Sequence, residues 1–580
     1  MPEQAIRCVS AWLDGFGAVV RNGQRQQVSQ LFDQDGSWRD MLAISGDLRT
    51  LDGVGEIEAF LDRHGGSKDF RVTAEPQVEY ATRFGRYCLE AFFDFDTGIG
   101  YGRGIARFIC DEMGGPARRT AWTVLTTLHS LKVQSPSKAR AQEPTTAARG
   151  PDQRRNWLEV RHDEQEYADR DPTVVVVGAG QCGLSMAARL KELDIDTLVI
   201  ERTRRIGDSW RLRYRSLRLH NETCANHLPY IPFPSTWPKY LPKDKLANWL
   251  EFYADSMELN VWTASSIREA KYDEDAGTWS IVCEREGVRR VVRPKHLVLA
   301  IGVSRIPKYP EMPGLADFSG ITRHAHDYVE GTEFRGLSVL VVGSGNSGHD
   351  VAQDLYVSGA NVTMMQRGST TIVSLEPGAE KAAGGLYRQN RPIDDLDLIR
   401  NSATYPVRRQ WLKNVTDEIL DLDRDLIRRL HAVGFKTDTG ADGTGFLMKY
   451  WRQGGGYYID VGCSKLIIDG KIQLVQFTDL ESFTQAGVRL VDGCTLEFDV
   501  VIFASGYMSI QDGVRSLLSD EVADRVGPVW GLDDEGELRN ICKPTAQPGL
   551  WFIGGSLIEA RSLSRYMALQ IQAAESGVAL

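Results

Sequence analysis

Two similar glycine-rich turns constrain the fold of this chain more than any other feature. The first follows the apolar run Val174–Val177 and reads Gly178-Ala179-Gly180-Gln181-Cys182-Gly183. The second follows Val339–Val342 and reads Gly343-Ser344-Gly345-Asn346-Ser347-Gly348. Such glycines permit a tight passage from strand to helix and a close approach of the backbone to a pyrophosphate, whose charge the helix N-terminus favours. The pair predicts an α/β fold with two Rossmann-type domains that bind two dinucleotides and pass electrons between them.

The end of the second strand in each unit distinguishes the two dinucleotides. The first such strand, Thr197–Ile200, is followed by Glu201, whose carboxylate can accept both hydrogens of the ribose diol of FAD. The equivalent position in the second unit is Gln366, followed by Arg367, and this pair would attract a 2′-phosphate. The sequence therefore predicts FAD in the first site and NADPH in the second. A simpler alternative is that Arg367 is only solvated, since Arg202 follows Glu201 in the first unit.

The composition is that of a globular protein with several domains. At 580 residues the chain is too long for a single core. Its 42% apolar and 25% charged residues are ordinary for such proteins, and a net charge of −10 argues against nucleic acid as a partner. No apolar stretch approaches the ~20 residues of a membrane span, and the first residues lack a basic-then-apolar signal pattern. We therefore expect neither a membrane nor a nucleic-acid partner.

The cysteines indicate a compartment and exclude two kinds of site. All nine are scattered, and no C-x-x-C pair occurs. This pattern excludes the usual zinc spacings and the flavin-linked dithiol of disulfide reductases. An odd number of scattered thiols fits a reducing environment. We therefore expect a cytoplasmic protein without a metal site.

The order of predicted elements divides the chain into units. Residues 1–133 contain helices followed by a run of antiparallel strands, which indicates a small α+β domain. Residues 134–170 are polar and predict a linker that leads into a packing helix. The apolar anchors of that helix would be Trp157, Leu158, Val160 and Tyr167. Beyond it we assign three segments: 171–334 to the first part of the FAD-binding domain, 335–498 to the NADPH-binding domain with an insertion, and 499–580 to the C-terminal part of the FAD-binding domain.

The N-terminal unit resembles a known kind of domain. Its element order and the segment Trp38-Arg39-Asp40 are similar to those of nuclear-transport-factor-like and polyketide-cyclase-like domains. Such domains are cone-shaped and form a ligand pocket or a dimer face. The resemblance therefore implies either a binding role for this unit or a homodimer.

A third motif lies between the two glycine turns. Phe318, Gly320, His324 and Tyr328 meet every fixed position of F-x-G-x-x-x-H-x-x-x-[YF], the identifying stretch of flavin-containing monooxygenases. The related Baeyer–Villiger monooxygenases carry Trp at the last position, so Tyr328 favours the former class. This resemblance implies that NADPH reduces the flavin and that a flavin C4a-(hydro)peroxide formed with O2 transfers one oxygen atom to a small organic substrate. It also places His324 in the candidate catalytic set, as a hinge of the NADPH domain.

Further segments between residues 170 and 580 resemble the same family. Ile206-Gly207-Asp208-Ser209-Trp210-Arg211 is similar to the G-G-x-W segment that covers the flavin, although Asp208 replaces the second glycine. The run from Asp499 to Gly506-Tyr507 resembles D-x-V-I-x-A-T-G-[YF], with Ser505 in place of Thr. Leu550 to Gly555 looks like the last strand that contacts FAD. The resemblance therefore adds Trp210, Gly506, Tyr507 and Gly555 to the candidate cofactor-binding residues.

The candidate oxygen-transfer residues are His220 and Asn221. Family members that oxidise amines place a side-chain amide beside the flavin, and in this chain the count from Ser216 puts His220 at that position. The L-x-L-H pattern that ends in His220 instead resembles plant YUCCA-type indole-3-pyruvate monooxygenases. Either residue could donate a hydrogen bond to the reactive oxygen, and Asn221 could equally be a turn residue.

Residues 368–498, called the insertion below, exceed what a nucleotide-binding domain needs. They contain a predicted helical run, Val407–Leu430, and the aromatic, glycine-rich segment 450–458. One interpretation is a surface elaboration. The other is a lid or wall over the flavin, because flexible glycines beside aromatic residues suit an adaptable apolar pocket.

Three functions remain compatible with the sequence. The first is an NADPH-dependent flavin monooxygenase acting on a small organic molecule. The second is an NADPH oxidase that releases hydrogen peroxide. The third is a ligand-binding or scaffold protein that carries a degenerate flavoprotein module, and both intact glycine turns count against it.

Overall fold

The N-terminal unit is a mixed sheet with a long helix packed on it. The computed structural model describes residues 2–23, 25–66, 69–133, 156–383 and 385–580. Phe16 of the first helix packs against Trp38 of the sheet, which is fully buried and donates its indole N–H to Thr126 Oγ1 at 2.9 Å. The elements of this unit are helices α1 (Pro2–Asn22), α2 (Val28–Leu31) and α3 (Gly53–His64), and strands β1 (Phe32–Met41), β2 (Leu48–Asp52), β3 (Arg71–Val72), β4 (Gln77–Arg83), β5 (Arg86–Asp96), β6 (Gly100–Ile109) and β7 (Ala121–Leu131).

The sheet of this unit runs in the order β2-β1-β7-β6-β5-β3, and β4 also pairs with β5. Only the β1–β7 pair among these is parallel. The predicted α+β organisation matches this arrangement of helices and mainly antiparallel strands. The resemblance to nuclear-transport-factor-like domains stays a prediction.

The helix predicted after the linker forms, but three of its four anchors are wrong. Helix α4 (Trp157–Glu166) begins with a capping box made by Asn156 and Glu159. Trp157, Leu158 and Val160 are all exposed, and Tyr167 alone is buried as predicted. The helix is held instead by Arg161, whose Nη2 donates to the carbonyl of Glu258 at 2.7 Å. A buried guanidinium therefore replaces the predicted apolar contacts, while the linker residues 134–155 lie outside the described residues.

The remainder of the chain alternates strands and helices. The strands are β8 (Val174–Val177), β9 (Thr197–Ile200), β10 (Arg218–Glu222), β11 (Tyr240–Pro242), β12 (Asn260–Trp262), β13 (Ser265–Asp273), β14 (Thr278–Arg285), β15 (Val288–Val292), β16 (His296–Leu299), β17 (Ile321–His324), β18 (Ser338–Val342), β19 (Asn361–Gln366), β20 (Thr371–Ser374), β21 (Tyr457–Asp460), β22 (Gln473–Gln476), β23 (Leu480–Thr484), β24 (Gly487–Leu490), β25 (Thr495–Glu497), β26 (Val500–Phe503) and β27 (Leu550–Phe552). The helices are α5 (Gln181–Glu192), α6 (Asp208–Arg211), α7 (Lys243–Ser256), α8 (Asn346–Val357), α9 (Glu380–Ala383), α10 (Ile393–Asn401), α11 (Tyr405–Leu422), α12 (Arg424–Ala432), α13 (Gly445–Gln453), α14 (Cys463–Ile468), α15 (Ile510–Leu517), α16 (Asp520–Val526) and α17 (Leu557–Glu575).

Two five-stranded parallel sheets organise these elements. The first has the order β12-β9-β8-β16-β27 and the second the order β17-β26-β18-β19-β22. The strand before each glycine turn, β8 or β18, is the central strand of its sheet, and a helix, α5 or α8, follows the turn directly. Central parallel strands are covered on both faces, which explains why both are continuous apolar runs. Four smaller sheets, β10-β11, β13-β14-β15, β20-β21 and β23-β24-β25, accompany them among the described residues.

The pairing of two strands corrects the predicted domain boundaries. The boundaries at 334 and 498 placed β17 and β26 with the FAD-binding segments. In the structure, β26 lies between β17 and β18 in the second sheet, with Ile321 opposite Val500. The partners of a buried apolar strand are decided by hydrogen bonding across the sheet, which the order of the chain does not reveal.

The N-terminal unit is packed against the rest of the chain. Arg39 on β1 forms a buried ion pair with Glu537, with Nη2 to Oε2 at 2.7 Å. Met41 belongs to the same apolar core as the first parallel sheet. Phe84, at the turn between β4 and β5, meets Trp411 of α11 edge to face at 5.9 Å. The unit therefore contacts both the dinucleotide-binding part and the insertion.

Two further observations concern membranes and metals. Of the helices in the described ranges, none combines the length and the apolar character that crossing a bilayer requires. The same ranges bring no three His, Cys, Asp or Glu side chains together as ligands for a metal ion.

Candidate active site

The first glycine turn forms a cradle at the N-terminus of α5. Gly178 has φ of 107°, which an L side chain rarely adopts. A Cβ on Gly183 would lie 1.8 Å from the carbonyl oxygen of Gly178, so this glycine is needed for helix–strand packing. A Cβ on Gly180 would find Ser209 Oγ as its nearest neighbour, at 3.8 Å. The space in front of Gly180 is therefore open, and it fits a pyrophosphate approaching the backbone.

Three predicted FAD-binding residues converge beside this turn. Glu201 is buried and fixed, because its Oε2 accepts the backbone N–H of Ala179 at 2.7 Å. Trp210 donates its indole N–H to Gln181 Oε1 at 3.1 Å, and the Gln181 amide donates to the carbonyl of Gly555 at 3.1 Å. The chain thus brings Trp210 and Gly555 together through Gln181, a residue that the sequence singled out only as a variable position of the turn.

The second glycine turn is built in the same way at the N-terminus of α8. Gly343 has φ of 122°, and a Cβ on Gly348 would lie 2.1 Å from the carbonyl oxygen of Gly343. In front of Gly345 the nearest atom to such a Cβ is the carbonyl oxygen of Tyr457, at 3.8 Å. Asn346 Oδ1 accepts the backbone N–H of Ile459 at 2.9 Å, so strand β21 of the insertion passes beside this turn. The open space at Gly345 fits a second pyrophosphate.

Gln366, the last residue of β19, and Arg367 do not act as the predicted pair. Gln366 is fully buried, and its amide both donates to the carbonyl of Lys436 at 2.8 Å and accepts the backbone N–H of Lys436 at 2.9 Å. These bonds tie Gln366 to the insertion and remove it from any phosphate. Arg367 is exposed, so recognition of a 2′-phosphate would depend on Arg367 without help from Gln366.

A cavity of about 1330 Å³ joins the two turns. This volume exceeds the ~300–1,000 Å³ of a site for one small ligand. The predicted site residues on its wall are Gly178, Gly180, Glu201, Trp210, His220, Asn221, Asn346, Ser347 and Gly555. The predicted site residues that do not contribute to this wall are Gly183, Gly343, Gly345, Gly348, His324, Arg367, Gly506 and Tyr507. The structure thus brings the first glycine turn, the N-terminus of α8 and the two oxygen-transfer candidates to one cavity.

His220 and Asn221 lie on β10 at the cavity wall. Burial lowers the pKa of His220 to about 4, so its ring is neutral at pH 7 and retains one N–H to donate. The backbone carbonyl of Asn221 accepts the side-chain amide of Asn226 at 3.1 Å. Sequence reasoning missed Asn226, which is fully buried on the same wall and whose Oδ1 has no partner among the described residues.

His324 forms structural contacts in the second sheet and does not line the cavity. Its Nδ1 accepts the backbone N–H of His326 at 3.0 Å, which leaves Nε2 to donate to the carbonyl of Gly506 at 3.0 Å. The ring also packs against Tyr507, with centroids 5.4 Å apart. Both ring nitrogens are therefore used to join the end of β17 to the turn after β26, as a positioning residue would require.

A hydrogen-bonded pair between the two dinucleotide units was not predicted. Asp350 on α8 lines the cavity and accepts the hydroxyl of Tyr214 at 2.6 Å. Burial raises the pKa of Asp350 to about 6. Neither residue belongs to a motif, and only the folding of both units around the cavity brings them together.

The insertion and the N-terminal unit complete the wall. Tyr450, Trp451 and Tyr457 of the insertion line the cavity, together with Arg39 and Phe84 of the N-terminal unit. Of the two interpretations of the aromatic segment, the structure therefore supports a cavity wall. The predicted helical run is also present, as α11 and α12.

Comparisons with known proteins agree with this geometry. A family model described as pyridine nucleotide-disulphide oxidoreductase matches residues 175–416. Probable indole-3-pyruvate monooxygenase YUCCA3 of Arabidopsis thaliana is 33% identical over 359 residues, 60% of this chain and 75% of that protein. Indole-3-pyruvate monooxygenase YUCCA1 of Oryza sativa subsp. japonica is 32% identical over 355 residues, 60% of this chain and 79% of that protein. A solved structure of OTEMO in complex with FAD and NADP shares 15% identity, with a TM-score of 0.52 over 70% of this chain and 87% of that chain.

The likeness to solved structures concerns the fold, and it confirms the predicted α/β class with dinucleotide-binding domains. The identity to curated relatives extends over most of their length. The absence of a C-x-x-C pair separates the chain from disulfide reductases, which the matching family model also describes. The chain belongs to the flavin-dependent monooxygenase family that includes the YUCCA-type indole-3-pyruvate monooxygenases, and it is an oxidoreductase.

Proposed function

We propose that this monooxygenase depends on NADPH and inserts one oxygen atom of O2 into a small organic substrate held in the cavity. The observation that supports the proposal best is that both glycine turns open onto this one space, through Gly180 on one side and Ser347 on the other. Its volume of about 1330 Å³ accommodates more than one ligand. Two dinucleotides and a substrate that share a cavity can exchange electrons and an oxygen atom without release to water.

The proposed ligand contacts follow from the two cradles. When bound, FAD supplies the chemistry that accepts a hydride from NADPH and activates O2. The residues that would hold FAD are Gly178, Gly180, Gly183, Glu201, Trp210 and Gly555. The residues that would hold NADPH are Gly343, Gly345, Asn346, Ser347, Gly348 and Arg367. Gly506 and Tyr507 would support the second site indirectly, through the contacts that they make with His324.

His220 is the proposed donor to the oxygen that is transferred. Its neutral imidazole can donate one hydrogen bond without placing a charge in the cavity. Asn221 is the next residue on the same strand and is the second candidate. Burial of this segment would also keep water away from the reacting atoms.

Anaerobic reduction tests dependence on NADPH. Purified protein loaded with FAD should lose its flavin absorbance on addition of NADPH, and more slowly at the same concentration of NADH. Oxygen transfer is then tested with ¹⁸O2 and a panel of amines, sulfides, ketones and 2-oxo acids, by mass spectrometry of the products. Incorporation of one labelled atom is expected for at least one class. Stoichiometric hydrogen peroxide with every substrate would instead establish the oxidase alternative.

The two oxygen-transfer candidates are separated by single variants. His220→Ala should keep anaerobic flavin reduction, since hydride transfer needs only alignment of the cofactors. Product per NADPH should fall and hydrogen peroxide per NADPH should rise, because the transferred oxygen has lost its donor. Asn221→Ala is the matched comparison on the same strand. If both variants keep the product yield of the wild type, the donor lies elsewhere and β10 has only a structural role.

A further inference from the structure

The chain crosses between the two dinucleotide units after β16 and again after β26, and the two crossings pair with each other. Pro307 forms an isolated β-bridge with Tyr507, and the backbone N–H of Met508 donates to the carbonyl of Ile306 at 2.9 Å. A junction of a few loop residues joins two units and can absorb a rotation between them. The relative placement of the two cradles therefore depends on contacts outside this junction.

One side-chain hydrogen bond joins the helix of the second cradle to the first unit. The hydroxyl of Tyr214 donates to Asp350 Oδ2 at 2.6 Å. Asp350 lies on α8 one turn beyond Asn346 and Ser347, and all three line the cavity. In the described part of the chain, no other hydrogen bond connects α8 with the first dinucleotide unit. The Tyr214–Asp350 bond is therefore the polar contact that can fix the second cradle relative to the first.

Tyr214 connects the surroundings of the first cradle to the core of the second unit. Its side chain is 3% exposed and belongs to the same apolar cluster as Val351 and Leu355 of α8. Along the chain it follows α6, where Trp210 donates to Gln181 beside the first cradle, and it precedes β10. A segment that starts at the first cradle is thus anchored in the second unit by a buried ring and by its hydroxyl.

Hydride transfer between two bound dinucleotides is sensitive to the placement of α8. Reacting atoms must lie about 3–3.5 Å apart, and a misplacement of about 1 Å can lower a rate about a hundredfold. Asp350 is only about 6 Å along the helix axis from Asn346, at a rise of about 1.5 Å per residue. Fixing Asp350 therefore fixes the turn that would hold the pyrophosphate of NADPH.

We propose that Tyr214 and Asp350 are positioning residues whose hydrogen bond sets the distance between the two bound dinucleotides for hydride transfer. The proposal rests on the proposed function, since it takes NADPH to occupy the second cradle. Neither residue has to touch a reacting atom. Loss of the bond should therefore slow the reduction of the flavin and leave the affinity of each cradle for its own dinucleotide.

Stopped-flow reduction of the FAD-loaded protein without O2 tests the pair. Tyr214→Phe keeps the ring and removes the hydroxyl, so the rate constant at saturating NADPH should fall at least about tenfold. The dissociation constants of FAD and NADPH should change less than about threefold, because both glycine turns are intact. The charge-transfer absorbance that a nicotinamide gives when it stacks on a flavin should weaken together with the rate constant.

Variants of Asp350 test the same bond from the other side. Asp350→Asn keeps an oxygen that can accept the hydroxyl of Tyr214, so it should retain most of the rate. Asp350→Leu removes the acceptor and should be as slow as Tyr214→Phe. The double change should be no slower than either single change, because both remove the same bond. If Tyr214→Phe fails to fold, the comparison of Asp350→Leu with Asp350→Asn decides the question.

A second tyrosine–aspartate pair on α8 supplies the control. The hydroxyl of Tyr328 donates to Asp354, one turn after Asp350, and neither Tyr328 nor Asp354 lines the cavity. Both belong to the second unit, so Tyr328→Phe should lower the melting temperature and leave the rate of flavin reduction unchanged. An equally slow Tyr328→Phe, a wild-type rate in Tyr214→Phe, or a loss explained wholly by weaker binding of NADPH would each overturn the positioning role.

Hydrogen exchange separates this proposal from the proposed function. In the FAD-loaded protein without NADPH, the backbone amides of residues 212–217 should exchange faster in Tyr214→Phe and Asp350→Leu than in the wild type. Unchanged exchange would show that the bond does not hold the units together and would overturn the proposal. A wild-type flavin that NADPH does not reduce would refute the proposed function, and with it the role in hydride transfer. Normal reduction in the wild type and in every variant would refute the positioning role alone.

Discussion

Alanine at Gly180 should abolish FAD binding and preserve the fold. The backbone of Gly180 has φ of −78°, which alanine adopts without strain, and the nearest atom to its Cβ would be 3.8 Å away. The cost to the fold is that of exchanging Gly for Ala at a helix N-cap, up to about 1 kcal/mol. The new methyl group would fill the space in front of the turn, where a pyrophosphate approaches the backbone. Each charge-assisted hydrogen bond lost is worth about 1.5–3 kcal/mol, or roughly tenfold to a hundredfold in affinity.

Alanine at Gly183, in the same turn, should damage the fold itself. Its Cβ would lie 1.8 Å from the carbonyl oxygen of Gly178 and 3.3 Å from the Cβ of Ala300. Helix α5 would have to move away from the central strand β8, and overpacking of this kind costs about 1–3 kcal/mol or more. The two substitutions add the same methyl group and differ only in what it meets.

The assay compares both variants with the wild type, without and with FAD. Circular dichroism follows thermal unfolding of the apoprotein, and fluorescence titration measures FAD affinity. Gly180→Ala should unfold close to the wild-type temperature and bind FAD at least about a hundredfold more weakly, for two or more lost contacts. Gly183→Ala should unfold several degrees lower or fail to accumulate as folded protein. Gly345→Ala, the matched change in the second turn, should keep FAD and lose NADPH. A Gly180→Ala protein with full FAD content would refute the assignment of this cradle.

Three further predictions concern single side chains. Arg367→Ala should weaken NADPH about tenfold to a hundredfold and NADH little, by titration of both, and equal losses would exclude a 2′-phosphate contact. Arg39→Met leaves Glu537 buried without its cation, so it should cost about 3–5 kcal/mol in unfolding, and the double change with Glu537→Met should cost clearly less. The pKa of Asp350 is about 6 in the folded protein against the ordinary 3.8 of the unfolded chain. Folding therefore favours the protonated carboxyl group, and this contribution to stability is lost as pH rises from about 4 through 6. Above pH 7 the free energy of unfolding of Asp350→Asn should therefore exceed that of the wild type by at most about 3 kcal/mol, measured by denaturant unfolding across pH 4–8. An unchanged pH dependence of that free energy in the variant would contradict this.

The geometry of the two glycine turns could be predicted because its signals are local. A glycine turn, the strand before it and the helix after it lie within a short stretch of sequence, so the turns at Gly178 and Gly343 could be located from spacing alone. The prediction that Gln366 acts together with Arg367 was wrong, because the contact that fixes Gln366 comes from a residue distant along the chain. Gln366 is bound by Lys436, and nothing in the sequence near either residue indicates that contact.

The packing predictions also succeeded where the signal was local and failed where a distant segment decided the contact. The apolar run of β26 identified it as a buried strand, but only its neighbours in the sheet show that it belongs with β18. Trp157 was predicted to anchor α4 and is exposed, because Arg161 reaches Glu258 and holds the helix instead. Side-chain type predicts a preference for burial, whereas the geometry of the neighbouring chain decides which residue is buried.

The sequence by itself determined the two cradles, the α/β class and the expectation of a flavin-dependent monooxygenase, because these depend on turn geometry and short motifs. Tertiary structure decided which side chains line the cavity and which of them form pairs. Arg39 and Glu537 are far apart along the chain, and they meet only because the N-terminal unit folds onto the first dinucleotide unit. A buried arginine and its carboxylate partner come from different elements, so the ion pair between Arg39 and Glu537 exists only in the folded chain.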